Sequence, residues 1–282
     1  MPELLGVSVE TVTEIQGGWD NAVFEVNGEW IVRVPRREEV RPWLRKEMRL
    51  LPEIAPLLPL PVPSFEIAED GDQPFVAYRK LPGRRIDETL RGGSDAAALG
   101  RMLGAFLAAL HRSDLDRASE LTGSGPDARG WIEEQRRMHE SSQSEVYPLL
   151  EDDERLRTDR LFSDFFETAE REIMLALVHA DLGPDHVLCV GDRVTGVIDW
   201  SDACVGDPAV DLAWLTNATP KRFTDAIVSA CIDAGGVATE ATLARSTFYH
   251  RVGPLHEVLH ALDTRDVALR ERGLRAFRER LP

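Results

Sequence analysis

Leu177-Val178-His179-Ala180-Asp181-Leu182-Gly183-Pro184-Asp185-His186-Val187-Leu188 runs from an apolar strand end through a polar loop into a second apolar strand. Val194 to Ile198 is a third β-prone run, joined to the second by Gly191-Asp192, and Asp199 follows it directly. Glycine at the first central turn position suits a type II′ turn, so the last two runs predict a hairpin. One end of that hairpin then receives two carboxylates, Asp181 and Asp199, together with the imidazole of His186.

Phosphoryl transfer needs this equipment. One carboxylate must orient or deprotonate the attacking hydroxyl, and further ligands must hold Mg²⁺ against the β- and γ-phosphates, because positioning and charge neutralisation supply most of the rate. The kinase pattern HxDxxxxN followed by a metal-binding Asp is met by His179, Asp181, His186 and Asp199, with His in place of Asn.

Upstream, β-prone runs alternate with turns. Ala22 to Val26 and Glu29 to Val34 flank Asn27-Gly28, a pair suited to a type I′ turn because both positions need positive φ. A glycine-containing turn, Gln16-Gly17-Gly18-Trp19-Asp20-Asn21, leads into this hairpin. A helix is expected from Val40 to Leu51, stopped by the proline-rich stretch from Pro52 to Pro63. Strands near Ser64 to Ala68 and Pro74 to Arg79 complete a small antiparallel sheet.

Beyond Leu81-Pro82-Gly83 helical periods dominate. Leu99, Met102, Leu103, Phe106, Leu107 and Leu110 share one helix face, which predicts a core helix over Asp95 to Arg112. Residues 116 to 130 read as loop, and further helices are expected at 131 to 146, 152 to 171, 208 to 217, 220 to 234, 238 to 262 and 264 to 280. The β-rich island from Ala176 to Ile198 interrupts them. The expected class is therefore α+β, with a sheet-based lobe over 1–82 and a helical lobe over 83–282.

The stretch HADLGPDHVL, followed by VTGVIDWSDACVGDPAVDLAWL, resembles the signature of the antibiotic phosphotransferases. These aminoglycoside and macrolide kinases share a two-lobed protein-kinase-like fold. Arg33-Val34-Pro35-Arg36, Lys46-Glu47 and the run from Phe75 to Gly83 are similar to the family in order and spacing. His at the fifth position after the catalytic Asp resembles the 2″-aminoglycoside and macrolide branches. The resemblance implies that Asp181 is the catalytic base or hydroxyl-orienting group, that His186 and Asp199 bind Mg²⁺, and that His179, Asp207 and Asp211 are structural supports. It implies equally that a nucleoside triphosphate, GTP or ATP, is the phosphate donor.

Kinases of this shape hold the α- and β-phosphates with a cation on the third strand, paired to a helix glutamate. Lys46, Lys80 and Lys221 are the only lysines, leaving 30 arginines among the 33 cationic residues. No lysine lies on the Glu29 to Val34 run, and Arg33 occupies the family position, with Glu47 as its expected partner. A guanidinium is permanently charged and binds phosphate oxygens bidentately, so the role can survive while the geometry changes. Gly17 and Gly18 are expected to cover the phosphates. Tyr78 is expected to line the base pocket, with Lys80 beside it, and its bulk resembles the GTP-using branch.

The 49 Asp+Glu against 33 Lys+Arg give a formal charge of −16 at pH 7. With an isoelectric point near 4.9 and no basic run, nucleic acid and anionic membrane surfaces are excluded as main partners. The charge suits a cationic small molecule steered into a cleft. Cys189, Cys204 and Cys231 are widely spaced and suggest neither a disulfide framework nor a zinc site. The first ten residues do not read as a secretory signal and the most apolar stretch is too short to span a bilayer, so a cytoplasmic protein is expected. Asp202 and Glu257 are candidate acceptor-binding residues.

Several acceptors stay open on the sequence. An aminoglycoside leads, a macrolide would use Trp131, Trp200 and Trp214 as apolar lining, and a cationic peptide antibiotic is a third choice. A metabolic kinase for choline, homoserine or a sugar would carry the same signature. A nucleotide-binding module without catalysis is the reading that Arg33 and His186 keep alive.

Overall fold

The computed structural model describes residues 8–16 and 20–282, and the backbone alone at 170–172. Strands β1 (Val12–Ile15), β2 (Asn21–Val26), β3 (Trp30–Pro35), β4 (Phe65–Glu69) and β5 (Phe75–Arg79) form one antiparallel sheet in the order β1-β2-β3-β5-β4. The β2–β3 turn has Asn27 at φ 53° and Gly28 at φ 71°, as a type I′ turn requires, and the Glu29 N–H donates to the Val26 carbonyl at 3.1 Å. Strand β1 escapes a sequence reading because all four of its residues are exposed, so it carries no apolar alternation.

Side chains alternate across β3. Trp30 and Val32 pack with Val26 and Ala77 on one face, while Ile31 joins Leu44, Val76 and Tyr78 on the other. Arg33 shares that second face with Ile31 and therefore points toward α1 (Arg41–Ile54). The helix runs on through Pro52 rather than stopping there, burying Leu50, Leu51 and Ile54.

The remainder is mostly helical. β6 (Arg84–Arg85) leads into α2 (Ile86–Arg91) and α3 (Ala96–His111), whose N-cap Asp95 accepts from the Ala97 and Ala98 N–H groups. Leu99, Leu103, Phe106, Leu107 and Leu110 are fully buried, as their spacing predicts. The stretch expected as loop from 116 to 130 instead contains α4 (Leu115–Thr122). Asp114 caps it through the Arg117 N–H at 2.7 Å, and only Ala118 and Leu121 are buried, too few apolar residues to mark a helix in the sequence.

Next come α5 (Ala128–Ser141), a π-helical turn at Ser142–Val146 and α6 (Asp152–Glu172). The β-rich island then supplies β7 (Ala176–Val178), β8 (Val187–Val190), β9 (Arg193–Val197) and β10 (Cys204–Gly206). β8 and β9 form the expected hairpin around Gly191 at φ 57°, and β6 adds to β8. β10, which no apolar run in the sequence marks, pairs with β7 and brings the segment after Asp199 back beside the strand that leads to Asp181. Helices α7 (Ala209–Asn217), α8 (Lys221–Asp233), α9 (Glu240–Thr264) and α10 (Val267–Arg280) complete the chain. Among the described residues no helix is long and apolar enough to cross a membrane.

Candidate active site

Asp181 lies in the loop between β7 and β8, and Asp199 lies two residues beyond β9, on the same side of the island. Both are built on left-handed backbone: Ala180, immediately before Asp181, has φ 68°, and Asp199 has φ 65°. Such non-glycine residues cost about 1–2 kcal/mol each unless their surroundings hold them. At Ala180, fully buried Asp211 on α7 provides that hold, accepting from the Ala180 N–H at 2.8 Å, the His179 N–H at 3.0 Å and His111 Nε2 at 3.0 Å.

The two histidines of the loop have fixed tautomers. His179 Nε2 lies 3.0 Å from the Ile198 carbonyl, which only accepts, so Nε2 carries the proton and Nδ1 accepts from the Asp181 N–H at 3.3 Å. Burial holds His179 below the usual histidine range, against the pull of Asp211, and its ring lies tilted against Trp200 with centroids 4.7 Å apart. His186 Nδ1 donates to the Asp181 carbonyl at 2.6 Å, which leaves Nε2 directed toward Asp199 Oδ2 at 3.8 Å.

Burial pushes the Asp181 carboxyl up to about 6, with Asp202, Asp199 and Asp185 adding to the rise and His186 opposing it. Asp199 goes the other way: burial is outweighed by Arg33, His186 and the Ser201 hydroxyl, which donates at 3.0 Å. Two nearby carboxylates are thus driven apart in acidity, a division of labour typical of acid–base sites.

Arg33 donates from Nη1 and Nη2 to the two carboxylate oxygens of Glu47, at 2.7 and 2.9 Å, and its Nη2 also lies 3.5 Å from Asp199 Oδ1. Burial opposes the charged guanidinium, but Glu47 outweighs it and raises the Arg33 pKa. Tyr78 is buried next to this pair, and Lys80 donates to Glu25 at 2.5 Å. Ile15, Val23, Ile31, Tyr78, Leu188 and Ile198 give a slot of about 390 Å³ its apolar walls, with Arg33, Lys80 and Asp199 also in its lining. The expected phosphate cover, Gly17 and Gly18, lies outside the described residues.

A cleft of about 460 Å³ joins these groups, lined by Arg33, Asp181, Asp185, His186, Asp199, Ser201, Asp202 and Glu257 among others. A second space of about 690 Å³ opens from Asp181, Asp202 and Glu257 over Glu134, Trp131, Trp214, Tyr249 and His256. None of its lining residues is Lys or Arg. Asp202, just before β10, and Glu257, on α9, are therefore brought to the same space as Asp181. Asp207 supports this wall from behind, accepting from Arg245 Nε at 2.7 Å and Nη2 at 3.1 Å and from the Tyr249 hydroxyl at 3.1 Å.

Asp185, Glu134 and Tyr249 line the site without standing out in the sequence, and Lys46 stood out there only as the neighbour of Glu47. Asp185 sits inside the quoted loop and could have been taken with it. Lys46 Nζ donates to the Ala203 carbonyl at 2.7 Å, tying α1 to the segment beyond Asp199, a partnership 157 residues apart that no local signal announces.

A divalent cation fits the donor set in part. Asp199 supplies a hard carboxylate and His186 turns its Nε2 toward it, while no group of three or more His, Cys, Asp or Glu among the described residues forms a closed cage. Mg²⁺ needs no such cage, because it keeps waters and takes one or two protein ligands plus phosphate oxygens.

The chain is similar to known phosphotransferases in sequence and in fold. Viomycin phosphotransferase of Streptomyces vinaceus is 26% identical over 226 residues, 77% of this chain and 75% of that protein. The GDP complex of aminoglycoside 2′-phosphotransferase-IIIa superposes with a TM-score of 0.88 at 23% identity, covering 99% of this chain and 95% of the other. Macrolide 2′-phosphotransferase MphH of Brachybacterium faecium superposes at 0.76 with 26% identity, covering 98% and 96%. The fold is thus the two-lobed kinase-like fold, and the sequence profile of the phosphotransferase enzyme family (APH) matches residues 11–249. By that match over most of its length, the chain belongs to the phosphotransferase enzyme family.

Proposed function

We propose that this protein transfers the γ-phosphoryl group of a nucleoside triphosphate to a hydroxyl of a polycationic antibiotic, an aminoglycoside first among them, and so confers resistance. The observation that carries this reading is the acceptor-sized space beside Asp181, which has Glu134, Asp202 and Glu257 in its lining and no Lys or Arg. A macrolide, with one amine and a large apolar surface, would gain little from three carboxylates.

In this mechanism residues 1–82 hold the nucleotide and 83–282 hold the acceptor. The base enters the apolar slot beside Tyr78, and Arg33, fixed by Glu47, directs its guanidinium at the phosphates. Asp199 and His186 would hold Mg²⁺, which supplies charge neutralisation of the phosphates when bound. Asp181 accepts the proton of the acceptor hydroxyl, and its raised pKa suits that task. The hydroxyl oxygen bonds to the γ-phosphorus while the bond to the β,γ-bridging oxygen breaks, releasing the nucleoside diphosphate. His179, Asp207 and Asp211 keep the loop and the wall in place. A nucleotide-fuelled enzyme of this kind acts in the cytoplasm.

Single-turnover phosphorylation with a panel of aminoglycosides, a cationic cyclic peptide, a macrolide and homoserine tests the proposal. Transfer to the polycations supports it. Transfer to the macrolide or homoserine alone would move the assignment to that class, and no transfer to any acceptor would overturn it. Steady-state rates with GTP and ATP test the donor: the bulk of Tyr78 in the slot leads us to expect GTP to serve at least as well, and a clear ATP preference would refute that.

A further inference from the structure

Two tryptophans wall the space beside Asp181, and each is seated on glycine backbone. A Cβ at Gly206 would stand 2.5 Å from the Trp131 ring, and a Cβ at Gly253 would stand 2.9 Å from the Trp214 ring. Only a residue without a side chain lets the indoles approach so closely.

Both indoles are also anchored from behind. Trp131 Nε1 donates to the Tyr249 hydroxyl at 2.8 Å, that hydroxyl donates to Asp207 Oδ2, and Arg245 clamps Asp207 with two further hydrogen bonds. Trp131 and Tyr249 meet edge to face at 6.5 Å. Arg280 lies over the Trp214 ring at 4.6 Å, held there by its bond to the His250 carbonyl at 2.9 Å. The indoles are therefore fixed before any acceptor arrives, which removes an ordering cost on binding.

The chemistry of the lining selects among cations. Glu134, Asp202 and Glu257 are exposed carboxylates on the same space as Trp131, Trp214 and Tyr249. An ammonium is a compact, strongly hydrated point charge, so an indole face offsets less of its hydration loss than it does for a guanidinium. A guanidinium is planar and weakly hydrated, stacks on aromatic faces and donates a fork of N–H groups to a carboxylate. We infer that the acceptor site reads a guanidinium group of its substrate between the indole walls and the acidic rim, with Trp131 as a specificity-determining residue. This rests on the assignment of the space as the acceptor site.

The test compares one aminoglycoside with the same molecule after its amino groups are converted to guanidino groups. Calorimetric binding to the full chain, with nucleotide present, is expected to favour the guanidino form by about tenfold, the scale of one good cation–π contact. Trp131→Leu is expected to bring the ratio near one, while Trp131→Phe, which keeps an aromatic face, retains most of it. Unchanged nucleotide binding in both variants controls for folding. A wild-type ratio near one, or a ratio that Trp131→Leu leaves intact, would overturn the inference. Phosphoryl transfer is read separately: transfer without preference sinks only this inference, and preference without transfer counts only against the kinase assignment.

Discussion

Arg33 on β3 and Glu47 on α1 meet as a buried fork-to-fork ion pair, with hydrogen bonds of 2.7 and 2.9 Å and no more than 6% of either side chain exposed. Kinases commonly place a lysine on that strand, and a lysine ammonium could satisfy only part of this geometry. The pair aligns the sheet with the helix and leaves Arg33 3.5 Å from Asp199.

Arg33→Ala is expected to lower kcat/KM by roughly a hundredfold or more, chiefly through the nucleotide, because a preorganised phosphate-binding cation is lost. It should also destabilise the fold by about 3 kcal/mol, since Glu47 is left buried without its partner. Arg33→Lys should keep the charge but recover only part of the rate. Nucleotide-dependent kinetics and denaturant melts separate the two effects, and full activity in Arg33→Ala would exclude the proposed role.

Asp211→Asn replaces one of the oxygens that accept from Ala180, His179 and His111 with a donor. We expect a loss of about 1–3 kcal/mol in stability, the usual cost of a buried group left unpaired. Turnover should fall with it, because Ala180 loses the bond that holds its left-handed conformation. An Asn variant as stable and active as the parent would remove Asp211 from its supporting role.

Gly206→Ala places a methyl where the Trp131 ring lies. The acceptor KM should rise while the nucleotide KM stays near its parent value, with a stability loss of about 1–3 kcal/mol from overpacking. Equal changes in both KM values would place Trp131 outside the acceptor site.

His250 provides a pH test of stability. Burial, then Arg280 and Arg251, lower its pKa to about 4. A depressed histidine favours the neutral folded form, so its contribution is complete above the unfolded value near 6.5 and declines as pH falls from there toward 4. His250→Gln should therefore flatten the fall in melting temperature across that interval. An unchanged slope would assign the acid sensitivity to other groups.

The order of elements around the chemistry was legible because it is local. Polar residues at strand ends, an Asn-Gly turn and a 3.6-residue apolar period each announce themselves within a dozen residues. Helix Leu115–Thr122 was not legible, since it buries only Ala118 and Leu121, nor was the wholly exposed strand Val12–Ile15. Asp202 and Glu257 could be proposed as acceptor contacts from charge and position. The bond from Lys46 to Ala203 and the chain from Trp131 through Tyr249 and Asp207 to Arg245 join residues far apart in sequence. Only the packing of α5, β10 and α9 brings the latter together, and a single sequence holds no periodic trace of it.

Asp181→Asn, measured for both transfer and nucleotide binding, tests the proposed role of Asp181 in phosphoryl transfer. The exchange keeps size and shape while removing the proton acceptor, so transfer to an aminoglycoside should fall by about 10²–10⁴ with nucleotide affinity within a few-fold of the parent. Transfer at the parent rate in Asp181→Asn would remove Asp181 from that role, and no transfer by the parent protein alongside tight nucleotide binding would leave a nucleotide-binding module in place of a kinase.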